Sequence, residues 1–380
     1  MTDLNLTQEE QFILTCLRSE FSGSSEADFS ALDLQSMNWD TVYKKSTEWN
    51  IAELLYRIIK KHPSFLKTAK IPKLFLETMR LKYFMTCVAN DSMFKSLSEV
   101  LEVFHKADIK VILLKGSHLA QFVYQDAGVR PMCDIDILVR KEEMGDINKM
   151  LNTLGYKAEP LYKWCLHNSY CVNYYHINKV RLQIHWELFS PDRFSQPIQP
   201  LPNKILWENA IPIDQENIRA HILSNETNVV YMCLHAAKHS REGIALLKFL
   251  DIALFLKKNA HGINKAYFLE LVRDSKLETL MCHILQISKE YFDIDISLLK
   301  DIESRHESPD DNISGYFREN KVEPALIRYC KVLYNIPGFY GKFYTLFHYS
   351  FPSREYLIHL YGVKKYYLFT HLYDLLRRKG

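Results

Sequence analysis

The sequence predicts an α+β fold: a small mixed β-sheet core flanked by N- and C-terminal helical regions. Three observations predict it. At both ends of the chain, apolar residues recur every three or four positions, the period of a helix that buries one face. Between residues 107 and 190 the pattern changes to short apolar runs and period-two alternation, as strands require. Glycine is scarce, 12 in 380 residues, which suits a helix-rich protein with few tight turns.

Each element follows from local chemistry. Thr7-Gln8-Glu9-Glu10 is a capping box, and Ile13, Cys16, Leu17 and Phe21 continue it at helical spacing. Ser22-Gly23-Ser24-Ser25 ends that helix. Ile51, Leu54, Leu55, Ile58 and Ile59 mark a second helix, stopped near Pro63, and Leu74 to Phe104 reads as one long helix or two. Residues 1–106 are thus a helical N-terminal region. Within the core, 107–190, Val111-Ile112-Leu113-Leu114 reads as a strand ending at a Lys115-Gly116 turn, with Ser117 as the N-cap of a helix over 117–124. A second strand covers 134–139. Met144, Ile147, Leu151 and Leu154 form a helix that Gly155 closes as a C′ glycine. Ser169 to His176 and Val180 to Leu188 alternate around an Asn178-Lys179 turn, a hairpin signal. Prolines 191, 197, 200, 202 and 212 mark 191–215 as an extended linker, and 216–380 reads as a helical C-terminal domain. Its tail, Phe339 to Gly380, is aromatic and basic and reads as a helical pair packing its aromatic face on the core.

Composition narrows the function. The net charge of +3, from 48 basic and 45 acidic residues, gives no general preference for polyanions and disfavours a nucleic-acid-binding module. The eight cysteines include no C-x-x-C pair, so reduced thiols in a cytoplasmic protein are expected. No signal peptide and no transmembrane segment is expected, since no run reaches the roughly 18 apolar residues that a span needs.

The chemistry concentrates in Lys115-Gly116-Ser117 and Asp134-Ile135-Asp136. In a strand, residues two apart point the same way, so Asp134 and Asp136 share a face. Carboxylates this close repel unless a cation lies between them, and oxygen-only donors suit Mg²⁺ or Mn²⁺. The Gly-Ser turn offers backbone N–H groups to phosphate, with Lys115 and Arg130 to neutralise its charge.

These motifs, with Val129-Arg130-Pro131-Met132 before the aspartates, resemble the bacterial uncharacterised nucleotidyltransferase family of the DNA polymerase β-like superfamily. Leu154-Gly155-Tyr156, Ile184-His185-Trp186 and the helix with His235, His239 and Asp251 resemble it too. The resemblance implies transfer of a nucleoside monophosphate from a nucleoside triphosphate, ATP foremost, to an unknown acceptor (peptide, sugar, small molecule, RNA or protein), releasing pyrophosphate. It implies two Mg²⁺ (or Mn²⁺) ions held by Asp134 and Asp136, with a third acid completing the second site and helping to deprotonate the acceptor. Where the family usually has that acid, two residues before the His-Trp pair, this chain has Gln183; Glu187, two residues beyond His185, is the candidate replacement. Lys115, Gly116, Ser117 and Arg130 are the expected nucleotide-binding residues, and Gln183, His185, His235, His239 and Asp251 the accessory ones. The alternative is a catalytically impaired nucleotide-binding or scaffold protein.

Overall fold

The computed structural model describes residues 6–21, 32–61, 71–177, 179–189, 198–215, 218–239, 246–298, 302, 339–352, 354–361, 368, 370 and 371. The N-terminal helices are α1 (Gln8–Ser19), α2 (Trp39–Glu48), α3 (Ala52–Lys61) and the 34-residue α4 (Lys73–Lys106). The capping box at Thr7 and Glu10 forms with both of its reciprocal hydrogen bonds. The segment from Leu74 to Phe104 is one helix. The core then runs β1 (Ile112–Leu113), α5 (Lys115–His118), a π-helical turn over Leu119–Tyr124, and β2 (Ile135–Leu138). It continues with α6 (Met144–Thr153), β3 (Lys157–Ala158), α7 (Tyr162–Asn168), β4 (Cys171–His176) and β5 (Lys179–His185). Gly155 closes α6 at φ +85°, the left-handed conformation expected of it. In the hairpin, Lys179 begins β5 rather than ending the turn; Asn178 lies outside the described residues.

The sheet does not stop at residue 190. After α8 (Asn203–Glu208) come β6 (Ile211–Gln215) and β7 (Ile218–Ile222), a second hairpin within the stretch read as linker and helix. The strand order is β3-β4-β5-β2-β1-β7-β6, with β1 parallel to β7 and antiparallel to β2. Pro212 does not prevent this, because β6 is the outer strand, where a residue without an N–H leaves no ladder bond unmade. The remaining helices are α9 (Asn225–His239), α10 (Leu246–Asn259), α11 (Lys265–Asp274), α12 (Glu278–Phe292), α13 (Phe339–Ser350) and α14 (Arg354–Tyr361).

Helices cover the sheet on both faces. Leu113, Ile135, Ile137, Leu182 and Ile184 pack with Leu97, Val100, Leu101 and Phe104 of α4 and Ile147 and Leu151 of α6. On the other face Ile112, Leu114 and Leu138 join the larger cluster that holds Val229 and Val230 of α9 and Leu250 of α10. The tail differs from expectation. In α13 the described aromatic side chains, Phe339, Tyr340, Phe343 and Phe347, are exposed, Phe339 and Tyr340 by 78% and 88%. Packing against the sheet is instead made by α14, whose Tyr356 meets Tyr175 of β4 edge-on at 4.8 Å. Tyr366, Tyr367 and Arg377 to Lys379 lie outside the described residues. Among the described residues no helix is long and apolar enough to cross a membrane.

Candidate active site

The sheet face opposite α4 carries the polar residues. Alternation sends Ile135, Ile137, Leu182 and Ile184 into the α4 core and leaves Asp136, Arg181, Gln183 and His185 on the other side. The register then aligns them: Asn173 of β4 stands opposite Gln183, and Gln183 opposite Asp136. One row of polar side chains therefore crosses three strands.

Lys115 enters this row from the end of β1. Its backbone adopts φ +45°, a left-handed conformation that side chains with a Cβ resist. Its Nζ donates to Asp136 Oδ1 at 2.6 Å and to Gln183 Oε1 at 3.5 Å. His185 Nε2 lies 2.9 Å from the same Asp136 oxygen. Burial alone would raise the Asp136 pKa; the charge of Lys115 and the His185 bond outweigh it and hold the carboxyl well below the usual range. For His185, burial and then the Lys115 charge lower the pKa to about 4, so the ring is neutral at pH 7 and Nε2–H donates to Asp136. Asp134 stands one residue before β2 and accepts from Arg181 Nη2. Its pKa is raised, by burial first and by Asp136 second.

Ser117 and Gly116 act differently from expectation. The N-cap position belongs to Leu114, and Ser117 is inside α5, almost fully buried. Its hydroxyl accepts the Asp136 backbone N–H at 3.0 Å and so ties α5 to the site strand. Gly116 does not use its conformational freedom; it makes room. A Cβ there would lie 2.9 Å from both Arg130 Nη1 and Met132 Cγ.

Arg130 is also engaged within the fold. It is buried, and its guanidinium forks onto Asp251 of α10, Nε to Oδ1 at 2.9 Å and Nη2 to Oδ2 at 2.8 Å. Tyr124 adds a third bond to Asp251 at 2.8 Å. Arg130 thus braces the floor of the Lys-Gly-Ser turn, with Asp251 as its partner. His235 sits on α9 with its ring 6.5 Å from that of Tyr231; His239 ends the helix and its side chain is outside the described set.

Glu187 falls outside the row. The strand ends at His185 because the backbone N–H groups of Trp186 and Glu187 both turn to the Tyr170 carbonyl, while the buried Trp186 indole donates to Ser169 O. The alternation that would align Glu187 with His185 stops there. Two partners escaped the sequence reading. Arg181 was legible, since period two puts it on the face of Gln183. Asn173 was not, because its position follows only from the β4–β5 register.

Among the described residues no group of three or more His, Cys, Asp and Glu is placed to hold a metal ion. The donor chemistry of the two aspartates nevertheless suits a divalent ion. Lys115 and His185 share Asp136 Oδ1, and Arg181 takes Asp134 Oδ2. Asp136 Oδ2 and Asp134 Oδ1 receive no hydrogen bond among the described residues, and these are the hard oxygen donors that Mg²⁺ or Mn²⁺ prefers.

The model of the uncharacterised nucleotidyltransferases matches residues 35–293. The chain belongs to that family. The matched span runs from just before α2 into the residue after α12, so in this nucleotidyltransferase it takes in the polar row, the β6–β7 hairpin and the Arg130–Asp251 brace. No curated protein matches the sequence. Solved structures that are distantly similar include the following two. The solution structure of antibiotic-resistance factor ANT(2'')-Ia is 10% identical, over 48% of this chain and 92% of that one, with a TM-score of 0.31. A tRNA-processing enzyme in an apo form is 13% identical, over 75% of this chain and 78% of that one, with a TM-score of 0.24.

Proposed function

We propose that this nucleotidyltransferase moves a nucleoside monophosphate from a nucleoside triphosphate, ATP foremost, to an acceptor, with release of pyrophosphate and with Mg²⁺ or Mn²⁺ on Asp134 and Asp136. The observation that carries the reading is the pair of unbonded carboxylate oxygens, one from each aspartate, beside two cationic side chains on one sheet face. An ion bound there would neutralise phosphate charge and polarise the group being transferred. The chain's own residues do the rest by position. Ser117 and His185 fix the backbone and carboxylate of Asp136 before substrate arrives, which keeps reorganisation small. Lys115 and Arg181, balanced by carboxylates in the free protein, are the cations nearest to hand for the triphosphate. Catalysis of this kind rests on orientation and charge more than on covalent chemistry. No step is placed on Glu187.

Gln183 favours a second reading, nucleotide binding without transfer. The first test is calorimetry of ATP binding with and without Mg²⁺, in the natural chain and in Asp136→Asn, with folding checked by circular dichroism. The proposal expects binding that needs both the ion and Asp136. Equal binding by folded Asp136→Asn would refute it. Ion-dependent binding with no pyrophosphate released to any acceptor class would leave the second reading standing.

A further inference from the structure

The polar row has a direction. Glu159 Oε1 accepts from the Asn173 backbone N–H at 2.7 Å and from Asn173 Nδ2 at 3.1 Å. That sets the Asn173 amide with its NH₂ toward the carboxylate and its oxygen toward β5. Asn173 Oδ1 then accepts from Gln183 Nε2 at 3.0 Å. The Gln183 oxygen is thereby aimed at Lys115 Nζ, which also holds Asp136. Each amide has one orientation that satisfies both neighbours.

A glutamate at 183 would break this chain. Its carboxylate would face Asn173 Oδ1, oxygen against oxygen, and turning Asn173 over would set that oxygen against Glu159. Position 183 is matched to a neutral amide next to a cation, not a carboxylate position fallen into disuse. The charges agree. At the aspartate end of the row each carboxylate already has a cation, Arg181 on Asp134 and Lys115 on Asp136, while Glu159 lies at the far end, on Asn173. One divalent ion has a free oxygen from each aspartate. A second would have to displace Lys115 and His185 from Asp136 Oδ1 and would find an amide where its carboxylate should be.

Building on the nucleotide-binding reading above, we infer that Lys115 is the built-in second cation of this site: its ammonium takes the place of one of two divalent ions, Gln183 is its neutral partner, and a single divalent ion accompanies each bound triphosphate. The left-handed backbone at Lys115 is consistent with a side chain held there for a purpose, since such strain persists only where the surroundings enforce it.

The test counts ions. Mn²⁺ is titrated into the full-length protein, held in excess over α,β-methylene-ATP, and bound Mn²⁺ is read from the loss of the free-ion electron paramagnetic resonance signal; nucleotide occupancy is measured separately by calorimetry. The natural chain should bind one Mn²⁺ per nucleotide. Gln183→Glu should stay at one, while Lys115→Met combined with Gln183→Glu should bind two. Lys115→Met alone should weaken nucleotide binding roughly tenfold or more, as loss of a charge-assisted contact does. Two Mn²⁺ in the natural chain, or a second ion with faster transfer in Gln183→Glu, overturns the inference while nucleotide binding stands. Absence of nucleotide binding under all conditions overturns the reading beneath it, and the inference with it.

Discussion

Replacing Asp251 with asparagine should cost this protein a large part of its stability although the shape of the side chain is kept. Asp251 accepts three hydrogen bonds, two from Arg130 and one from Tyr124, and both ends of the ion pair are buried, with side chains 9% and 5% exposed. An asparagine offers one oxygen and turns an NH₂ toward groups that are themselves donors. Arg130 is then a buried cation without a counter-charge, and breaking such a pair costs about 3–5 kcal/mol. Set against a typical total of about 5–15 kcal/mol, that is about a fifth or more. The assay is urea denaturation of the natural chain, Asp251→Asn, Arg130→Met and Arg130→Met/Asp251→Asn. The double variant leaves no orphaned charge, so its loss should fall short of the summed single losses by about 2 kcal/mol or more. A cost below about 1 kcal/mol for Asp251→Asn, or strict additivity, would refute the reasoning. If Arg130 instead served the triphosphate directly, Arg130→Met would weaken nucleotide binding and leave stability nearly unchanged.

Three further outcomes are expected. His118 is buried, its Nδ1 taking the Asn228 amide N–H at 3.2 Å, and burial followed by the charge of Arg130 lowers its pKa to about 4. The unfolded chain therefore binds the extra proton between pH 6.5 and 4, stability falls on acidification through that window, and His118 should account for about 2 kcal/mol of the loss from pH 7 to pH 5, a share that His118→Gln removes in urea titrations while that of His185 remains. Gly116→Ala should lose about 1–3 kcal/mol, because Met132 can shift but the clamped Arg130 cannot, and nucleotide affinity should drop with it. Gly128→Ala should lower the thermal midpoint more than Gly116→Ala does: its Cβ would meet the Tyr83 ring at 2.4 Å and Cys87 Sγ at 2.5 Å, and Tyr83 is pinned by its hydrogen bond to Asp126.

The sequence was most legible where one period dominates a segment. The capping box at Thr7, the C′ glycine at Gly155 and the alternation of Asp136 against Ile135 and Ile137 each follow from local rules, and the structure has them all. It was least legible where a residue's partner lies far along the chain. Ile218-Arg219-Ala220-His221-Ile222 alternates as a strand should, yet Pro212 and the helical pattern after Asn225 masked it; only the vacancy beside β1 explains why this hairpin joins the sheet. The same holds in the site. Arg130 looks like a phosphate ligand until Asp251, 121 positions away, is brought against it. The end of β5 depends on the buried Trp186, which no alternation rule anticipates.

The joining of β1 to β7 sets an order of assembly. Ile112 pairs with His221, about a hundred residues downstream, so β1 has one bare side until that much more chain has been made. A nascent chain ending near residue 190 would display the unpaired N–H and C=O groups of β1 next to a half-formed site, an edge open to neighbouring chains. Closing so long a loop is slow, and the strand bearing Asp136 is bonded to β1 directly. Fragments ending before Leu223 should therefore aggregate, whereas fragments extended through β7 and α9 should stay dispersed. The polar row would then be completed late, once β7 has closed the open side of β1.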